Sequence, residues 1–210
     1  MPKAQGCCGA LLLHNGNKPD GLALARHTID VFSGLNIDAL IINAAGCGAM
    51  MKEYGELFKN DPVYCEKARQ VTAKVRDVAE FLGSIPLTPP SHEVKKKVTY
   101  HDACHLAHGQ NVRSQPRALL RAIPGLQITE LQESDWCCGS AGTYNLTEPE
   151  MARRLLEKKV KNIKATEAEL VVTGNPGCLM QIRAGLQQQG LPIKAVHTMD
   201  LLAEAYEGNT

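Results

Sequence analysis

Ala168-Glu169-Leu170-Val171-Val172-Thr173-Gly174-Asn175-Pro176-Gly177-Cys178 is the stretch that decides the fold. Its apolar run Leu170-Val171-Val172 is short, branched and uninterrupted, the pattern of a parallel strand buried on both faces. The turn formers Gly174 to Gly177 end that strand, so Cys178 falls just past a strand end, where the next helix begins. In open α/β sheets ligands bind in the crevice at that end of the strands. Asp38-Ala39-Leu40-Ile41-Ile42-Asn43-Ala44-Ala45-Gly46-Cys47 reads the same way, at an offset of 131 residues.

Working outward, Cys7-Cys8-Gly9 recurs as Cys137-Cys138-Gly139 at an offset of 130, so two copies of one unit are expected. Each copy carries a helix between its paired and its single cysteine. Asn17-Lys18-Pro19-Asp20 opens the first, followed at helical spacing by Leu22, Ala25, Ile29 and Phe32. Thr147-Glu148-Pro149-Glu150 opens the second as a capping pattern ahead of Met151, Leu155 and Val160. The pattern further predicts an amphipathic helix over 62–82, a Pro-rich connector over 84–90 and a strand over 98–100 that delivers Cys104. A helix over 115–123, a strand over 126–131 and a closing helix over 196–206 complete it. The fold class expected is α/β: two similar Rossmann-like lobes with parallel or mixed sheets, related by an internal repeat. The lobes are placed at residues 1–83 and 95–210, with 84–94 as connector.

The 210 residues suffice for one large domain or two small ones, and 44% hydrophobic with 21% charged residues is ordinary for a globular protein. A formal charge of +1 offers no footprint for nucleic acid, which needs clustered Lys and Arg. The short run Lys95-Lys96-Lys97 reads as a solvated strand start. No apolar stretch reaches the roughly 18–20 residues that span a bilayer, and the N-terminus lacks a secretory h-region. A reducing, cytoplasmic setting is therefore expected, in which eight cysteines serve as metal ligands or redox groups rather than a disulfide framework.

Cα atoms adjacent across a trans peptide lie about 3.8 Å apart, below the roughly 4.4 Å minimum usual for a disulfide, so Cys137 and Cys138 should not bridge each other. Two adjacent thiolates can instead reach two irons of one cluster. Cys104, Cys137, Cys138 and Cys178 supply the four ligands of a 4Fe–4S cluster, and each sits at a strand-to-helix or strand-to-loop junction. The spacing from pair to single cysteine is 39 residues in the first copy (Cys8 to Cys47) and 40 in the second (Cys138 to Cys178). Two other readings stay open: ordinary buried cysteines, and a tetrahedral zinc site, although no Cys-x2-4-Cys knuckle is present. The first copy has only Cys7, Cys8 and Cys47, an incomplete site. Its fourth cysteine, by analogy with Cys104, would fall some 33 residues before Cys7, so the sequence reads as N-terminally truncated. Cys65, within the expected amphipathic helix, reads as a lone thiol.

Around the second site, His101, His105 and His108 bracket Cys104, and a hydrogen bond from one of them to cluster sulfur is an expectation alongside direct ligation. His14 stands similarly to the first pair. Gly139-Ser140-Ala141-Gly142 lacks a phosphate-loop pattern, and its small residues let backbone approach the site. Trp136, the single tryptophan, is expected in the core or shielding the site.

With these residues in place, the chain resembles the cysteine-rich CCG-domain family over nearly its whole length. That family includes iron–sulfur subunits of glycolate oxidase, lactate-utilisation proteins, the anaerobic glycerol-3-phosphate dehydrogenase and the heterodisulfide reductase catalytic subunit. Gly6-Cys7-Cys8-Gly9-Ala10 with His14, and Gly46-Cys47-Gly48-Ala49 running into Lys52-Glu53-Tyr54-Gly55, look most like the glycolate oxidase branch. So do Cys137 to Tyr144 and Asn175-Pro176-Gly177-Cys178. The resemblance implies an electron-transfer subunit of a 2-hydroxy acid dehydrogenase complex, not catalytic by itself. Its partners would be a flavin-containing dehydrogenase subunit and a quinone or membrane acceptor, reached from the cytoplasm or the inner face of the cell membrane. Two departures bear on this. Met50 and Gln181 stand where the heterodisulfide reductase pattern has a further cysteine, which argues against cluster-based disulfide reduction, and the ferredoxin-like Cys-x2-Cys-x2-Cys-x3-Cys-Pro run is absent from these residues.

Overall fold

The computed structural model describes residues 2–208; residues 1, 209 and 210, the outermost ends of the two expected lobes, lie outside them. Two compact units divide the chain between Val78 and Ala79.

In the first unit, α1 (Ala10–His14) and α2 (Lys18–Ser33) lead to β1 (Leu40–Ile42), then α3 (Ala45–Lys52), α4 (Tyr54–Leu57), α5 (Cys65–Lys74) and β2 (Val75–Asp77). The two strands pair in parallel, with Leu40 opposite Val75 and Ile42 opposite Asp77. Ala25, Ile29 and Phe32 of α2 form a buried stripe that meets Tyr54, Phe58, Val71 and Val75 in one core. The single amphipathic helix expected over 62–82 is thus corrected. Helix ends at Lys74, and Val75-Arg76-Asp77 becomes a strand with two buried residues flanking a half-buried one. The reason is tertiary: β1 needs a hydrogen-bonding neighbour, and a fully buried Val75 supplies it while packing the core.

The second unit begins at the second residue of α6 (Val78–Leu82) and continues through β3 (Lys97–Tyr100), a π-helical turn (His105–Gly109), α7 (Ser114–Arg121), β4 (Gln127–Thr129), α8 (Tyr144–Thr147) and α9 (Pro149–Ala165). It ends with β5 (Leu170–Thr173), α10 (Pro176–Gln188), β6 (Lys194–His197) and α11 (Thr198–Glu207). All four strands are parallel, in the order β4-β3-β5-β6. All four residues of β5 are buried, as its unbroken apolar run requires. Val98, Tyr100, Leu170 and Val172 share one face with Leu119 and Leu120 of α7 and Leu201 and Leu202 of α11. On α10, Gly185 admits Leu156 and Val160 of α9, since a Cβ there would sit 2.8 Å from Leu156 side-chain atoms.

Two further expectations are corrected. The closing helix starts at Thr198, not 196, because Lys194–His197 pairs with β5 as an edge strand; His197 then caps α11, its Nδ1 accepting the Met199 amide at 3.1 Å. The Thr147 capping box does not form. The position before α9 is Glu148, without a side-chain cap, while the Thr147 hydroxyl turns back to the Tyr144 carbonyl.

The chain leaves β3 for β4 on one side and returns to β5 on the other. That reversal opens a crevice beyond the carboxyl ends of β3 and β5.

Candidate metal centre

The crevice is where the second set of cysteines meets. Cys104 stands four residues beyond the end of β3 at the start of the π-helical turn, and Cys178 is the third residue of α10. Cys137 and Cys138 come in on the loop between β4 and α8. Their thiols form a hydrogen-bonded chain: Cys104 to Cys137, Cys137 to Cys138, and Cys138 to Cys178. Cys138 and Cys178 are buried, and Cys104 and Cys137 are partly so. Beside this chain, a ring nitrogen of His101 and the sulfurs of Cys138 and Cys178 lie within 4.8 Å of one another.

Three local devices hold the sulfurs. The first is the Cys-Cys-Gly turn, in which the Gly139 amide donates to the Cys137 sulfur at 3.3 Å. Gly139 has φ +90°, and a Cβ there would lie 2.4 Å from the Ala152 carbonyl oxygen of α9, so only glycine lets the turn pack so close. The second is α9 itself. Lys159, 2% exposed, donates to the Glu133 and Ser134 carbonyls, and Asn162 donates to the Gln132 carbonyl at 3.0 Å, fixing the approach to Cys137. The third is a two-pronged ion pair: Arg117 of α7 bonds both carboxylate oxygens of Asp102 at 2.8 and 2.7 Å, while the Asp102 amide donates to Ser134. Burial pushes the Asp102 carboxyl up, but Arg117 and Ser134 outweigh it and hold the group below its ordinary value. Asn175, at the start of α10, adds a bond to the Cys178 sulfur at 3.4 Å.

The electrostatics follow from the crowding. Hydrogen bonding with Cys104 and Cys138 pulls Cys137 down, and the single Cys138 proton, shared between Cys137 and Cys178, likewise lowers Cys178. The donors, Cys104 and Cys138, are pushed far up by those same bonds and then by burial. Four thiols this close share protons, and ionising all of them requires a cation among them. A group bound by four thiolates therefore fits the residues present. Lys159 is lowered by burial, with the neighbouring Cys138 and Glu133 opposing that shift.

The first unit repeats part of this arrangement. Cys47 is the third residue of α3, and Cys8 donates to it, lowering Cys47 to about 7 while Cys8 is pushed up by that bond and by burial. Cys7 lies near enough to Cys47 for their charges to interact. The Gly9 amide faces the Cys7 sulfur at 3.5 Å, its φ is +82°, and a Cβ would meet the Gly21 carbonyl at 2.5 Å. Thr28 bonds the Cys7 carbonyl and Tyr54 the Cys8 carbonyl, at 3.2 and 2.7 Å. Three cysteines thus come together here, and Cys65 lies apart with Arg69 against its sulfur.

Of the histidines around Cys104, the His101 ring is grouped with the sulfurs of Cys138 and Cys178, the His105 backbone bonds Cys104, and His108 is half-exposed beside Asp135 and Arg113. Trp136 corrects the core expectation, being 54% exposed with the Lys158 ammonium over its ring at 4.1 Å. Lys159 and the Asp102–Arg117 pair are neighbours of the site that the motifs did not single out, and Asn175 stood in a quoted motif without a role of its own. Lys159 alone left a signal, a lysine on the apolar stripe Ala152, Leu156, Val160, Ile163.

A parallel sheet delivering paired and single cysteines to its switch point is the architecture of a cysteine-rich domain. The profile of the CCG family, "Cysteine-rich domain", matches residues 1–52 and 98–183, and the chain belongs to that family. It is 43% identical over 209 residues to the "Probable glycolate oxidase iron-sulfur subunit" of Bacillus subtilis strain 168, covering 98% of this chain and 47% of that protein. It is 39% identical over 176 residues to the "Glycolate oxidase iron-sulfur subunit" of Escherichia coli K12, covering 82% and 43%. "Lactate utilization protein A" of Halalkalibacterium halodurans is 32% identical over 203 residues, 96% of this chain and 82% of that protein. The chain thus spans about half the length of the two glycolate oxidase relatives. Among the described residues no helix is long and apolar enough to cross a membrane.

Proposed function

We propose that this chain is an iron–sulfur electron-transfer subunit of a glycolate oxidase-like 2-hydroxy acid dehydrogenase complex, with its robust 4Fe–4S site formed by Cys104, Cys137, Cys138 and Cys178. The observation that carries the reading is the convergence of these four thiols at the switch point of β3 and β5. The names of the relatives, iron–sulfur subunits of glycolate oxidase, support the iron–sulfur role and the oxidase setting. Cys7, Cys8 and Cys47 make a second, incomplete site, and the chain carries two copies of one lobe, at 1–83 and 95–210 with 84–94 as connector, whose bounds differ from the division at Val78 and Ala79 between the compact units. The matching Cys-Cys-Gly turns support that kinship.

A bound cluster would supply one-electron exchange. The chain's own residues hold the thiolates, exclude water from Cys138 and Cys178, and aim the Gly139 amide and the Asn175 amide group at sulfur. A flavin-containing dehydrogenase subunit would deliver electrons, and a quinone or other membrane acceptor would take them from a protein lying in the cytoplasm or peripherally at the inner face of the membrane. Substrate chemistry belongs to the flavin partner. Disulfide reduction is disfavoured at Gln181, whose amide oxygen is engaged by Asn145 at 3.2 Å, and at the buried thioether of Met50.

Anaerobic reconstitution tests the reading. Expected are about four irons and four sulfides per chain, a visible charge-transfer band and a reduced-state EPR signal. Cys104→Ser should lose most of the iron and Cys47→Ser little. Uptake of zinc with no such band would sink the redox role, and iron lost only in Cys47→Ser would move the site to the first unit.

A further inference from the structure

His101 is 1% exposed, and neither ring nitrogen has a hydrogen-bond partner of good geometry among the described residues. A neutral imidazole carries one N–H donor and one bare acceptor, and burying both unmatched is unfavourable. Histidine is held there nonetheless. Its backbone amide extends the sheet, donating to the Val172 carbonyl at 2.9 Å, and the next residue, Asp102, is clamped by Arg117. The ring is thereby turned inward, its nitrogen grouped with the Cys138 and Cys178 sulfurs within 4.8 Å. His108, by contrast, is half-exposed beside Asp135 and Arg113.

We propose that His101 is a positioning residue for this centre, donating a ring N–H to the Cys178 sulfur and stabilising the more negative, reduced state of the bound group. The inference rests on the iron–sulfur reading above. Four thiols already supply a full ligand set, so the imidazole acts from outside it. Cys178 then has two donors, His101 and Asn175, whereas Cys137 accepts the Gly139 amide. Reduction adds one negative charge next to the donor, so losing the donor lowers the potential.

The test uses the full chain, anaerobically reconstituted, as wild type, His101→Phe and His101→Asn. Iron and sulfide should match wild type in both variants. In His101→Phe the reduced-to-oxidised ratio at a fixed potential should fall about tenfold, which is about 59 mV for one electron. His101→Asn, which keeps a donor, should recover part of that shift. On the wild type alone, pulsed EPR with isotopically labelled histidine should show one weakly coupled nitrogen. Strong coupling, or iron lost from both variants with the fold intact, would make His101 a ligand and overturn the proposal. An unchanged ratio in His101→Phe, or no histidine coupling at all, would overturn it as well. A wild type without iron–sulfur absorption would instead bring down the reading of the centre itself, a result told apart by the missing cluster signal.

Discussion

Replacing Gly139 by alanine separates the cost of a left-handed turn from the cost of contact. Gly139 has φ +90°, and its added Cβ would sit 2.4 Å from the Ala152 carbonyl oxygen and 3.1 Å from the carbonyl carbon, both backbone atoms in the first turn of α9. Neither can swing away as a side chain would. The left-handed conformation costs an L-residue about 1–2 kcal/mol. Forcing a methyl into a filled backbone contact costs about 1–3 kcal/mol more, so Gly139→Ala should lose roughly 2–5 kcal/mol. Gly190 in the same unit is the control: φ +63° with nothing within 4 Å of its Cβ. Gly190→Ala bears the conformational part alone, about 1–2 kcal/mol. Any gain from a stiffer unfolded chain is common to both. Urea unfolding of the reduced, metal-free protein, followed by far-ultraviolet circular dichroism and by the fluorescence of Trp136, reads the second unit, since the chain's single tryptophan lies there. Equal losses in the two variants would refute the claim that α9 is packed onto the Cys-Cys-Gly turn.

Tyr54→Phe leaves the Cys8 carbonyl without the buried hydroxyl that donates to it at 2.7 Å, and should destabilise the first unit by about 1–3 kcal/mol in urea unfolding followed by far-ultraviolet circular dichroism. Arg117→Ala strands the Asp102 carboxylate, 5% exposed, and should cost about 3–5 kcal/mol, whereas Arg121→Ala, on an exposed partner of Glu130, should cost under about 1 kcal/mol. His197 has its pKa lowered by burial, so the unfolded chain takes up its proton first. Stability is then full above about pH 6.5 and falls as pH drops through that value toward the lower folded-state pKa. Melting temperatures between pH 7.5 and pH 5 should flatten in His197→Asn, which keeps the cap acceptor and cannot titrate; an unchanged slope would remove His197 as the cause.

The strands that lead to the single cysteines were legible because their sequences can do little else. Leu170-Val171-Val172 is too short and too branched for a surface helix, and the turn formers after it locate Cys178 to the residue. Two strands that lead to none were not. Val75–Asp77 follows α5 without a helix breaker, and Lys194–His197 alternates like a weak edge strand, so local preference ran on into a helix in both places. What decided them was the need of β1 and β5 for neighbours, a condition set by the sheet and absent from any window of sequence.

The same division runs through the site. Cysteines announce themselves because thiolate chemistry admits no substitute, and adjacent pairs have no packing explanation. Lys159, Asn175 and Arg117 act through carbonyls, a sulfur and a carboxylate that come from other parts of the chain, so their types alone say nothing. Lys159 shows how such a residue can still be found. A lysine placed among Ala152, Leu156, Val160 and Ile163 cannot stay dry without acceptors at its ammonium. The helix pattern therefore predicts a set of buried carbonyls nearby, and the segment that must double back to bring Cys137 and Cys138 to the crevice is where Glu133 and Ser134 supply them. A charge out of pattern on a buried stripe thus points to the loop it ties down, and here that loop carries half of the ligands proposed for the second unit.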